Sequence, residues 1–166
     1  MSEEAAVTRD STATDARQTY ILFTVAGTSY AVLSRHVLHI EMIEHVTPVP
    51  NAPAFVEGVV FSRGQVVPVI NLRARFGFDR AELDLRTRLL IVDSGGRRVG
   101  LMADNAREFV TLSDASIHPP NEAIGGLSGN YLDGVATIGE RIVLILDINE
   151  VVESAAIDAV TGAQTH

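Results

Sequence analysis

The sequence predicts a mainly β protein: two small barrels packed around a shared apolar core, with a few short helices. Three observations predict it. Short β-rich runs come in pairs around tight turns four times along the chain. Two of those pairs repeat each other without a gap, Phe55–Leu72 falling on Tyr131–Ile148 at a shift of 76 residues. No long strand–helix–strand unit lies between them. Short strands at tight spacing suit small barrels or a sandwich, and the duplication favours two barrels.

In chain order, residues 1–19 are poor in large apolar side chains and cannot offset their ordering entropy; they are expected to form a disordered lead. Tyr20–Ala26 and Ser29–Leu33 flank Gly27-Thr28 as a first hairpin. Ser34–His39 reads as a short helix with Ser34 as its cap. Val59–Phe61 and Gln65–Ile70 form a hairpin around Arg63-Gly64, and Asn71 caps a turn or two of helix over Leu72–Phe76 before Gly77 stops it. Arg88–Asp93 and Arg97–Met102 pair around Ser94-Gly95-Gly96. Val135–Ile138 and Ile142–Leu146 pair around Gly139-Glu140, and Asp147-Ile148-Asn149-Glu150 has the capping-box spacing. Residues 153–166 form a tail.

The repeat orders these pieces. Gly58 meets Gly134, Glu57 meets Asp133, and Asn71 meets Asp147. The first hairpins match at a shift of 68, Gly27 on Gly95 and Leu33 on Leu101, so the second half carries about eight extra residues within 113–130. The body, 20–152, divides into halves of about 20–87 and 88–152, an arrangement that leaves room for strands to exchange between them.

Composition narrows the function. The chain has no cysteine and no lysine; its 13 basic residues are all arginine, so thiolate chemistry, a P-loop lysine and a Schiff base are excluded. The net charge is −8, and residues 20–152 keep −4 with no basic stripe, which counts against nucleic-acid binding, the rival reading for a double barrel. No apolar run approaches 18 residues and the N-terminus is acidic, so the expectation is a cytoplasmic protein without membrane insertion.

Little of the chain reads as catalytic. His36, His39 and His45 lack a convergent third and fourth ligand in the sequence, and Glu41 and Glu44 have the period of a solvated strand edge, so no metal or cofactor is expected. No G-x-S-x-G elbow occurs, and the Gly-Gly pairs punctuate hairpins and loops. Arg63 stands out: an arginine before glycine at a hairpin tip offers a planar five-donor group on a stiff support, suited to a partner's carboxylate. It could equally fold back on an acid of its own chain, such as Glu57, or stand solvated.

The stretch Pro53–Arg73 (PAFVEGVVFSRGQVVPVINLR) resembles the central signature of the CheW family of bacterial chemotaxis coupling proteins. The likeness runs from Tyr20 to about Val152 and includes Val37–Ile40, the GGRRVG hairpin at 95–100, Tyr131–Val135 and Leu144–Ile148. Phe61-Ser62, Asn71 and His39 stand where the family pattern has Asn-Leu, Asp and Glu. The resemblance implies two SH3-like five-stranded barrels around a common core. It also implies a non-catalytic adaptor between a CheA-type histidine kinase, met through its regulatory domain, and the cytoplasmic tips of chemoreceptors in membrane-associated arrays. By motif, the receptor-contacting positions would be Val37, His39, Gly58 and Arg63, with Asn71 and Asp147 as structural caps. A scaffold in a parallel chemosensory pathway, for pili or development, is the alternative.

Overall fold

A computed structural model describes residues 16–120 and 130–152. The expected tail at 153–166 and most of the expected lead lie outside them. Eleven strands are seen among the described residues: β1 Arg17–Val25, β2 Thr28–Leu33, β3 Val37–Met42, β4 Val56–Ser62, β5 Gln65–Asn71, β6 Arg88–Ser94, β7 Arg97–Ala103, β8 Asn105–Ser113, β9 Ile117–His118, β10 Leu132–Ile138 and β11 Arg141–Leu146. Two short helices follow the strands that end each repeat, α1 Leu72–Arg75 and α2 Ile148–Val152.

The strands form two sheets, in the orders β8-β1-β2-β11-β10-β9 and β3-β6-β7-β5-β4. Each sheet therefore takes its strands from both halves of the repeat. The β1–β2 hairpin joins the sheet of β10–β11, and the β6–β7 hairpin joins the sheet of β4–β5. The joins are parallel, Ile70 opposite Leu101 in one sheet and Leu144 opposite Tyr30 in the other.

This exchange explains why the strands read as unbroken apolar runs. Successive residues of a strand point to opposite faces, and here both faces are covered. On β6, Leu89 and Ile91 fill the interior of one barrel, while Leu90 and Val92 face the other sheet. On β1, Tyr20 and Leu22 fill the second barrel, while Ile21, Phe23 and Val25 enter the shared core. That shared core includes Phe23, Tyr30 and Phe76, with ring centroids 6.0 and 5.0 Å apart in sequence along the stack.

Three differences from the sequence reading have physical causes. Ser34–His39 is not a helix: only Ser34–His36 makes a 3-10 turn, and Ser34 does not cap it. Val37 begins β3 instead, because β6 offers an edge and the alternating Val37, His39, Glu41 set fits pairing on it. Strand β8 is absent from the sequence reading; it pairs with β1 from Arg17 to Thr24 and extends that strand back into the segment expected as lead. The two-residue β9 adds a sixth strand to one sheet, at the position where Thr47 makes an isolated bridge to Val59 in the other.

Candidate functional site

The β3 and β4 strands lie at opposite edges of their sheet, and the barrel closes by bringing them together. Thr47, downstream of β3, exchanges backbone bonds with Val59: Thr47 N–H donates to the Val59 carbonyl at 2.9 Å and Val59 N–H to that of Thr47 at 2.8 Å. Gly58 lies under this crossing and is buried. Farther along, side chains complete the closure. His39 Nε2 stands 2.5 Å from Glu41 Oε2 and 3.2 Å from Ser62 Oγ, and the Ser62 hydroxyl donates to the same Glu41 oxygen.

This cluster is shielded. The His39 side chain is 11% exposed and that of Glu41 28%, while Ser62 is buried. Partial burial pushes the Glu41 carboxyl upward. The hydrogen bonds from Ser62 and His39, with the charges of His39 and Arg63, outweigh it and hold the group below its ordinary value. The three residue types are those of a hydrolase triad, but the arrangement differs: His39 Nε2 stands against both partners, while the Ser62 hydroxyl donates to the Glu41 carboxylate. The arrangement clasps two strands.

Arg63 and Gly64 form the two-residue loop between Ser62 and Gln65, both with positive φ (+48° and +82°), as a type I′ turn requires. Arg63 is exposed, and among the described residues it has no hydrogen-bond or ion-pair partner. Glu57 does not receive it. Asn71 Nδ2 donates to Glu57 Oε1 at 2.9 Å and Arg80 Nη1 donates to the same oxygen at 2.5 Å. Beside the tip, Phe61 and Val66 pair across the hairpin, 75% and 51% exposed. Phe61 also borders a groove of about 470 Å³ that runs along Met42, His45 and Thr47.

The structure thus gathers His39 and Arg63 around Glu41 and Ser62. Val37 sits at the start of β3, half-buried against the shared core, and a β-bulge separates it from His39. Gly58 contributes backbone beneath Thr47 and no side chain. The three histidines weighed as ligands diverge: His39 joins Glu41, His45 lines the groove, and His36 faces a separate cleft. Sequence reasoning passed over Glu41, whose spacing looked like a solvated edge. Its partner Ser62 lies 21 residues away on the opposite edge strand, a proximity that only barrel closure creates.

Asn71 and Asp147 play matching parts. The Asn71 side chain accepts from Ala74 N–H at 3.2 Å; Asp147 Oδ1 accepts from Asn149 and Glu150 N–H at 3.0 and 3.4 Å.

Comparison with known proteins yields a consistent set of matches. The model of the CheW-like domain family matches residues 19–156. The chemotaxis protein CheW of Klebsiella aerogenes is 31% identical over 137 residues, covering 82% of each chain. Protein FrzA of Myxococcus xanthus is 30% identical over 141 residues, covering 83% of this chain and 87% of FrzA. Among solved structures, the scaffolding protein TtCheW from Thermoanaerobacter tengcongensis superposes with a TM-score of 0.73 at 26% identity, covering 78% of this chain and 88% of its own. Among the described residues, no helix is long and apolar enough to cross a membrane.

Proposed function

The chain belongs to the CheW family, and from that premise we propose that it is a non-catalytic adaptor linking the cytoplasmic tips of chemoreceptors to the regulatory domain of a CheA-type histidine kinase, within membrane-associated arrays. The observation that carries this reading is the β4–β5 tip. An unpaired arginine stands on a rigid type I′ turn, flanked by an exposed Phe61–Val66 pair and braced from below by the Glu41 clasp. Such a tip offers a charge-assisted anchor beside an apolar contact, the composition of a small transient interface.

Val37, His39, Gly58 and Arg63 have different parts in this site. Arg63 meets the receptor directly. His39 fixes Glu41, whose charge acts on Arg63; Gly58 lets β4 pass close enough to Thr47 for the clasp to form. Val37 sets the start of β3 against the core. A second reading, a scaffold in a parallel chemosensory pathway, draws on the match to FrzA and on His39, which replaces an acid of the family pattern and changes the charge beside the tip.

Co-sedimentation of the chain with a receptor cytoplasmic fragment and with the kinase regulatory domain tests the proposal. Binding to both is expected, and binding to neither overturns it.

A further inference from the structure

The repeat within the chain sets two equivalent turns side by side. Glu57 is the bulged residue between Val56 and Gly58 on β4, and Asp133 is the bulged residue between Leu132 and Gly134 on β10. The cap that follows is tied by the same backbone bond in both, Asn71 N–H to the Phe55 carbonyl and Asp147 N–H to that of Tyr131, each 2.8 Å.

In the first turn the acid is occupied. Arg80 Nη1 and Asn71 Nδ2 both donate to Glu57 Oε1, and Arg80 Nη2 also donates to the Ala54 carbonyl. In the second turn Asp147, which has no N–H on its side chain, replaces Asn71. The repeat carries position 80 onto Ala156, in a stretch (153–166) without arginine or lysine. Among the described residues no cation pairs with Asp133 or Asp147.

These two carboxylates line a cleft of about 310 Å³ together with Asp93, His36 and Tyr20. Tyr20 is 4% exposed, and its hydroxyl has no hydrogen-bond partner among the described residues. The Tyr20 ring is thus shielded while the residue lines the cleft, beside acids that no cation among the described residues neutralises, and a phenol oxygen in that place can accept from a donor-bearing group. Burial first, and then the charges of Asp114 and Asp133 against that of Arg35, raise the Tyr20 phenol above its ordinary value.

We infer that this cleft binds a guanidinium group, the arginine side chain of a partner protein, seated between Asp133 and Asp147 as Arg80 is seated on Glu57, with the Tyr20 hydroxyl accepting one of its N–H groups. The planar fork of five donors suits separate acceptors on several sides of one cavity, which a point-charge ammonium does not match. A metal ion fits less well: no group of three or more acidic or histidine side chains among the described residues converges to hold one. The inference is independent of the adaptor reading.

The test is a titration of the 15N-labelled full chain with N-acetyl-arginine amide, with N-acetyl-lysine amide as control. Saturable shifts at Tyr20, Gly134 and Asn149 are expected, with the arginine probe binding at least fivefold more tightly than the lysine probe. Asp133→Asn and Tyr20→Phe should each weaken arginine binding threefold or more. The tyrosine variant carries the test should the aspartate variant melt early. Equal response to both probes, or unchanged affinity in the variants, overturns the inference. Sedimentation velocity over a concentration series identifies the source: self-association weakened by Asp133→Asn assigns the arginine to a second copy, and a monomer that still binds the probe assigns it to another protein.

Discussion

Gly58 passes so close beneath Thr47 that a Cβ on the glycine would stand 2.2 Å from the Thr47 carbonyl oxygen. Its φ of +148° is also one that side-chain-bearing residues rarely adopt. Gly58→Ala should therefore cost at least about 2 kcal/mol in urea denaturation, since the obstacle is backbone and cannot turn aside. Gly134→Ala meets the Ile117 Cγ2 methyl at 2.5 Å and backbone, the His118 carbonyl oxygen, only at 3.2 Å, with no left-handed φ to add strain, and should cost less. Equal midpoints for the two variants would refute the close-approach argument.

Arg63 separates binding from folding. Arg63→Ala should weaken receptor-tip binding about 10- to 100-fold, the loss of a charge-assisted hydrogen bond of about 1.5–3 kcal/mol. Arg63→Gly should bind as poorly yet melt at or above the parent temperature, because glycine relieves a left-handed residue of about 1 kcal/mol of strain. Co-sedimentation and calorimetry on the same two variants check both.

Glu41 makes stability depend on acid. Its folded value lies below its unfolded one, so the folded state binds fewer protons, and its contribution is present above the unfolded value and lost as pH falls through the folded one. The melting-temperature gap between the parent and Glu41→Gln should be widest near neutrality and close below about pH 4. A gap independent of pH would remove the ionised clasp.

Asp104 ties three segments together. Arg73 donates to it through Nε at 2.9 Å and Nη2 at 2.7 Å, and Ala26 N–H donates to Oδ2 at 2.8 Å. Asp104→Ala leaves these donors without their acceptor and should lower stability by about 1–3 kcal/mol, read from denaturant midpoints at constant slope.

The hairpins were legible because each is punctuated: Gly27, Arg63-Gly64, Gly95-Gly96 and Gly139 mark turns that chain stiffness requires there. The shared core was legible from the repeat, since two like halves with apolar runs must cover each other. Strand β8 was not, because Asn105–Ser113 is mixed in polarity and earns its structure from β1, about ninety residues earlier in the chain. Nor could spacing show which sheet a hairpin joins. Equivalent Gly27 and Gly95 look alike in sequence, yet their hairpins cross to opposite sheets. In the site, Arg63 was legible as a hairpin tip, and Glu41 was hidden because its meaning depends on a strand at the other edge.

The crossed hairpins set a timetable for synthesis. One barrel has every strand in hand once Ala103 has left the ribosome, whereas β1 and β2 must wait for β8 and then for β11, which ends at Leu146. The earliest-made hairpin is thus among the last to find its sheet. Until then its unpaired edges are the part of the nascent chain most in need of a chaperone.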